Sequence, residues 1–165
     1  LAALIHGYAV GFLSITPSRL SAFLRSSAFS RAMHRVESIV CGGEAFPAEL
    51  LKKLKKLSNA RIYNQYGPSE TTVGVSMKEL SHADRITIGG PMGNCRMYVL
   101  DQWMNPLPVG GYGKLYVGGK CVGRGYRNAA ELTQAAFRDN PFVTEDRIYD
   151  TGRVGKAQCG KEVCK

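Results

Sequence analysis

The sequence predicts an α/β protein: part of a parallel α/β sheet layer over residues 1–80, then a small antiparallel β-barrel lobe over residues 81–165. Two observations carry that expectation. Residues 16–64 alternate helix-like and strand-like segments, the rhythm of a parallel sheet with crossover helices. Beyond Ser81 the apolar runs shorten and are separated by Gly89-Gly90-Pro91, Asn105-Pro106 and Gly110-Gly111, as in the hairpins of a small barrel or curved sheet. A composition 44% hydrophobic and 21% charged is that of a folded chain, and 165 residues suit one domain or two small lobes.

The elements follow in order. The apolar opening from Leu1 to Ile15 is broken by His6, Gly7 and Gly11 and falls short of the ~20 residues that span a bilayer. It also lacks a basic leader and a small-residue cleavage site, so no signal peptide is expected. Thr16 caps a helix with Pro17 in its first turn, and Leu20, Phe23 and Leu24 give it one apolar face. Val36 to Cys41 reads as a buried strand ending at Gly42-Gly43. Pro47 opens a second helix with Leu50, Leu51, Leu54 and Leu57 inward and Lys52, Lys53, Lys55 and Lys56 outward. Arg61 to Asn64 is a second strand. Ligands gather at the carboxyl ends of parallel strands, and Gly42-Gly43-Glu44 and the Asn64 stretch fall at two such ends. A lobe boundary is expected near Ser81–Asp84. Strands are then expected at Ile86–Ile88, Arg96–Leu100 and Lys114–Val117. Asn128 caps a last helix, with Glu131 three residues on; Leu132, Ala135, Ala136 and Phe137 form its buried side and Asn140-Pro141 ends it.

Several function classes fall away. The net charge of +9 raises the question of nucleic acid, yet the lysines form the solvated face of a leucine-striped helix. No aromatics interleave with them to stack bases, so no nucleic-acid partner and no membrane partner is expected. Five cysteines, Cys41, Cys95, Cys121, Cys159 and Cys164, are an odd count and read as reduced thiols of a cytoplasmic protein. Cys159 and Cys164 lack the companion pair that zinc requires. His6, His34 and His82 are far apart, and Ser14 and Ser69 lack a nucleophile-elbow context. No phosphate-loop spacing occurs, and Gly118 to Tyr126 reads as a glycine-rich turn.

The chemistry concentrates in Asn64-Gln65-Tyr66-Gly67-Pro68-Ser69-Glu70-Thr71-Thr72. Gly67 allows close backbone approach and positive φ, and Pro68 fixes φ and removes a donor. Around that bend stand an aromatic plate, an amide, one carboxylate and three hydroxyls. An aromatic face suits a purine, an amide reads its edge, and a carboxylate beside hydroxyls suits a hydrated divalent cation shared with phosphate. An ordinary strand-to-loop turn also favours Gly, Pro, Asn and Ser.

This stretch resembles the signature of adenylate-forming enzymes, specifically the adenylation domains of nonribosomal peptide synthetases. Gly42-Gly43-Glu44-Ala45-Phe46-Pro47 is similar to the family's Gly-Gly-Glu-Ala-Leu loop. Ile88-Gly89-Gly90-Pro91 with Asn94 resembles the opening of its small barrel. Pro108-Val109-Gly110 through Gly125-Tyr126 resembles its Gly-Glu-Leu…Ala-Arg-Gly-Tyr motif, and Tyr149-Asp150-Thr151-Gly152-Arg153 sits where it has Tyr-x-Thr-Gly-Asp. Gly43-Glu44 and Pro68 lean toward amino-acid-activating members over fatty acyl-CoA ligases.

The resemblance implies a ligase using ATP and Mg²⁺. An amino acid or other small carboxylic acid becomes an acyl adenylate with release of pyrophosphate, and its activated acyl group then passes to the phosphopantetheine thiol of a peptidyl carrier protein. It implies that Tyr66 stacks on adenine, Asn64 bonds it, Glu70 binds Mg²⁺ and Thr71 lies beside the phosphates. Gly43, Glu44, Gln65, Gly67, Pro68, Ser69 and Arg153 complete the implied nucleotide set. Ser14, Val40, Gly42, Gln65, Val73 and Gly74 would line the substrate side-chain pocket. Three departures stand out. Arg153 replaces the family's ribose-binding carboxylate and has donors but no acceptor. Lys114 replaces a glutamate, and the tail from Cys159 lacks an Asp-Gly hairpin. The chain begins at Leu1 without Met and ends at Lys165 without a closing signal, so it reads as a piece of a longer polypeptide, inactive alone. The alternatives are a non-catalytic relic or interaction module of the same fold, and another acid–thiol ligase.

Overall fold

The computed structural model describes residues 1–157 and, as backbone, Val163–Cys164. Its first sheet has the order β1 (Phe12–Ile15), β2 (Ser38–Gly42), β3 (Arg61–Tyr66), β4 (Ser76–Glu79), β5 (Gly90–Pro91). Strands β1, β2 and β3 are parallel; β4 and β5 are antiparallel. A separate antiparallel sheet has the order β10 (Val163–Cys164), β9 (Arg147–Ala157), β7 (Tyr112–Gly119), β6 (Cys95–Leu100), with β8 (Phe137–Asp139) beside β9. The chain divides into two compact units, Leu1–Gln65 with Lys78–Ile86, and Tyr66–Met77 with Thr87–Lys165. The chain passes between the units after Gln65, after Met77 and after Ile86.

In the first unit, helices α1 (Ala2–Gly7), α2 (Pro17–Phe23), α3 (Ser27–Ala32) and α4 (Ala48–Leu57) accompany the parallel strands. Thr16 caps α2 by accepting from the Arg19 N–H, and Pro17 occupies its first turn. The leucine stripe of α4 behaves as its spacing dictates: Leu50, Leu51 and Leu54 are buried in one core with Leu13, Ile39 and Ile62. Its lysines stay at the surface, where Lys52 pairs with Glu49 at 2.8 Å and Lys53 donates to the Leu24 carbonyl.

In the second unit, β6, β7 and β9 place Leu100, Leu115, Tyr116, Val117 and Ile148 in the interior. Two expectations are corrected here. Ile86–Ile88 is not a strand: Ile86 packs in the first unit's core and Ile88 in a second-unit cluster, so one apolar run serves two cores. Helix α5 spans Ala130–Ala136 with Ala129, not Asn128, at its N-cap, and Asn128 takes φ 58°. None of its residues is buried, and Leu132 is 64% exposed. Phe137 is buried, but in β8, so the helix ends before Asn140-Pro141. Cys41, Cys95 and Cys121 are free; the side chains of Cys159 and Cys164, and most of the tail expected to lack an Asp-Gly hairpin, lie outside the described residues.

Candidate functional site

Register alone sorts the first unit's candidates. Ser14 pairs with Val40, and Gly42 with Gln65. Register partners in a parallel sheet, and residues two apart on a strand, share a face. Ser14, Val40, Gly42 and Gln65 therefore lie on one face, the group expected to meet a substrate side chain. A Cβ on Gly42 would sit 3.1 Å from the Gln65 carbonyl, so a larger residue there crowds the strand beside it. Asn64 lies on the opposite face, shared by alternation with Tyr66, and is buried with 6% exposure.

Gly43 turns the chain at φ 82° after β2, and Glu44 follows at the surface. Both oxygens of Glu44 are engaged by Ser18: the hydroxyl donates at 2.7 Å and the backbone N–H at 3.0 Å. Those bonds, the side-chain one first, hold the carboxyl below its ordinary range. Ser18 lies in the first turn of α2, whose N–H groups lack intrahelical partners, so Glu44 anchors the Gly43 loop to that helix.

The second unit holds the bend. Gly67 is not in the left-handed region; the need there is space, because a Cβ would overlap the Val73 carbonyl and crowd the Val75 nitrogen. Left-handed backbone falls instead on Thr72 (φ 61°) and Val73 (φ 68°). The Gly74 N–H donates to the Thr72 carbonyl at 2.8 Å, closing a three-residue γ turn around a β-branched residue. Val73 is 70% exposed at that turn, beside Gly74. Thr71 is fully buried, and its hydroxyl donates to the Pro68 carbonyl at 3.1 Å, closing the bend from inside. Ser69 is exposed.

Glu70 is the best-supported group. The Tyr126 hydroxyl donates to its Oε1 at 2.8 Å, and the Tyr149 hydroxyl, as a lesser influence, also favours the charged carboxylate. Together they lower its pKa and keep it charged. The Glu70 bond raises Tyr126, with Tyr149 opposing it, while burial foremost raises Tyr149, so both hydroxyls keep their protons. The Gly123 N–H donates to the Glu70 carbonyl at 2.7 Å, and a Cβ on Gly123 would approach that oxygen to 2.9 Å. Sequence reasoning gave Tyr126, Tyr149 and Gly123 no role, although all three stand in the quoted motifs.

The Tyr66 ring is half-buried against Ile88, Val99 and Leu115. Burial raises its hydroxyl pKa; a bond to Thr151 and the Arg153 charge oppose that, and the Glu70 charge adds to it. Tyr66, Glu70, Thr151 and Arg153 are thus near neighbours. Arg153 is exposed and lines an open cleft of about 450 Å³ with Tyr126, Leu132, Asp150, Gly152 and Lys114. Lys114, the other departure, has a partner of its own in Asp150 at 3.5 Å. His6, His34 and His82 are exposed, and among the described residues no group of three or more His, Cys, Asp or Glu is placed to hold a metal. No helix among those residues is long and apolar enough to cross a membrane.

The family model described as AMP-binding enzyme matches residues 1–127. The chain belongs to the AMP-binding enzyme family. Its relatives are nonribosomal peptide synthetases. Tyrocidine synthase 3 of Brevibacillus parabrevis is 35% identical over 153 residues, which cover 89% of this chain and 2% of that protein. The crystal structure of holo-AB3403, a four-domain nonribosomal peptide synthetase bound to AMP and glycine, superposes with a TM-score of 0.87 at 30% identity over 99% of this chain and 12% of that one. The artificially fused adenylation–PCP di-domain NpsA-ThdA from Klebsiella oxytoca shares the fold, with a TM-score of 0.86 at 22% identity over 99% of this chain and 34% of that one. The chain thus spans a small part of the proteins it matches.

Proposed function

We propose that this chain is part of an ATP-dependent amino-acid adenylating ligase. In the reaction a substrate carboxylate attacks the α-phosphate of ATP and pyrophosphate leaves; the phosphopantetheine thiol of a peptidyl carrier protein then attacks the acyl carbon of the adenylate, forming a thioester as AMP leaves. The observation that carries the reading is the Glu70 carboxylate, held in its charged form by the Tyr126 hydroxyl at 2.8 Å, near the half-exposed ring of Tyr66.

Tyr66 offers a ring face to adenine, and Asn64 an amide on the same face of β3. Glu70 is the residue that would hold Mg²⁺, and its donor set fits: magnesium takes one or two carboxylates and leaves its remaining positions to water and substrate phosphates. Bound there, Mg²⁺ supplies neutralisation of phosphate charge. Tyr126 and Tyr149 orient the carboxylate, and the Thr71 bond to Pro68 fixes the bend. Because such chemistry is mostly positioning, small displacements of Glu70 matter. Ser14, Val40, Gly42, Gln65, Val73 and Gly74 are assigned to the acid's side chain, and their small, mixed character suits a small or polar one.

The AMP and glycine named with the AB3403 structure and the carrier domain fused to NpsA support nucleotide, substrate class and partner. The free cysteines support a reducing, cytoplasmic compartment. Amino-acid-dependent ATP–pyrophosphate exchange tests the reading. The complete synthetase carrying these residues exchanges and its Glu70→Gln variant loses at least about tenfold; the 165-residue chain alone gives none. Undiminished exchange in the variant refutes the metal assignment.

Arg153 favours a second reading, a non-catalytic relic or interaction module, because a guanidinium cannot accept from ribose hydroxyls. Arg153→Asp separates the two. Tighter ATP binding in the complete protein identifies a lost ribose contact, and unchanged affinity removes position 153 from the nucleotide set.

A further inference from the structure

The turn after β7 carries two thiols for which the candidate site has no use. Cys95 opens β6 opposite Gly119, the last residue of β7. Gly119, at φ 101°, reverses the chain: the Lys120 N–H donates to the Asn94 carbonyl at 3.0 Å and the Val122 N–H to the Gly119 carbonyl at 3.1 Å. Cys121 is thereby laid back over the start of β6, two residues beyond a glycine whose Cβ would sit 3.3 Å from the Cys95 Cα, and its thiol donates to the Gly118 carbonyl at 3.5 Å. Both cysteines are free and half-buried. The same turn braces the candidate site. The Thr72 hydroxyl donates to the Cys121 carbonyl at 2.9 Å, and two residues on the Gly123 N–H donates to Glu70.

We propose that Cys95 and Cys121 form a reversible disulfide by exchange with a low-molecular-weight disulfide, and that this bond locks the Gly119–Tyr126 loop against the turn carrying Glu70. The Cys95 thiolate attacks one sulfur of the external disulfide, whose S–S bond breaks; the released thiolate takes up the proton that Cys95 gave to solvent. The Cys121 thiolate then attacks the Cys95 sulfur of the mixed disulfide and expels the second external thiolate, which is protonated likewise. Two protein thiols are oxidised and one external disulfide is reduced to two thiols. Burial foremost pushes the Cys121 thiol up to about 12, so its thiolate is scarce near neutral pH and the closing step quickens as pH rises.

Oxidised glutathione on the full chain, followed by non-reducing tryptic mass mapping, tests the bond. Cleavage after Arg85, Arg96, Lys120 and Arg124 puts Cys95 in peptide 86–96 and Cys121 in peptide 121–124. The expected product is those two peptides linked, lighter than their sum by two hydrogens, and absent from Cys95→Ser and Cys121→Ser. Amide exchange at Thr72 and Gly123 slows by about tenfold or more on oxidation, in line with the usual stabilisation by a cross-link. Mixed disulfides without the linked pair, or Cys121 joined only to Cys41, Cys159 or Cys164, overturn the assignment. A linked pair with unchanged exchange at Thr72 and Gly123 overturns the lock.

Discussion

Glu70 accepts from the Tyr126 hydroxyl, and that bond, with a lesser influence from Tyr149, favours its charged form. Its folded pKa is depressed, so its contribution to stability is present above the ordinary 4.5 and is lost as pH falls through the folded value. Tyr126→Phe removes the larger influence. The acid limb of unfolding, followed by circular dichroism, therefore moves to higher pH in that variant, and an unmoved limb denies Tyr126 its role. Val73 gives a prediction of opposite sign. A β-branched residue at φ 68° is strained, and glycine is not. Val73→Gly is expected to stabilise the fold by about 1 kcal/mol in chemical denaturation. A loss of stability shows that the Val73 side chain makes contacts that outweigh its backbone.

Helix α4 and helix α5 show what local sequence can and cannot decide. In α4 the leucine stripe reports burial because the helix has a core to face, and Leu54 is fully buried. Leu54→Ala costs about 2–5 kcal/mol through lost transfer energy and a cavity, whereas Lys56→Ala at the surface changes the denaturation midpoint little. In α5 the same kind of periodicity misleads, since Leu132 is exposed and Phe137 belongs to β8. An apolar spacing names a face but not whether anything covers it. Likewise Thr16-Pro17 was legible because a cap is a contact between near neighbours, and Glu44 was not, because its partner Ser18 lies 26 residues away. The Ile86–Ile88 expectation failed where neighbouring residues pack into different cores.

At the scale of the whole molecule, the α/β class and the antiparallel second sheet were readable from element rhythm and glycine spacing. The unit division was not. It assigns Tyr66–Met77 to the second unit because the Tyr66 ring packs on Ile88, Val99 and Leu115 and Glu70 bonds Tyr126, contacts made across long sequence separations. The types of residue in the bend were therefore visible in the sequence, while the tyrosines that hold its carboxylate were not. Lys114 and Arg153 were visible as departures; that Lys114 finds Asp150, while Arg153 opens onto the cleft, is a tertiary fact. The most direct measurement is the Mg²⁺ dependence of ATP–pyrophosphate exchange by the complete synthetase, wild type against Glu70→Gln. The metal concentration for half-maximal exchange is expected to rise at least about tenfold in the variant; identical Mg²⁺ curves at equal exchange rates contradict a metal-binding carboxylate at this bend.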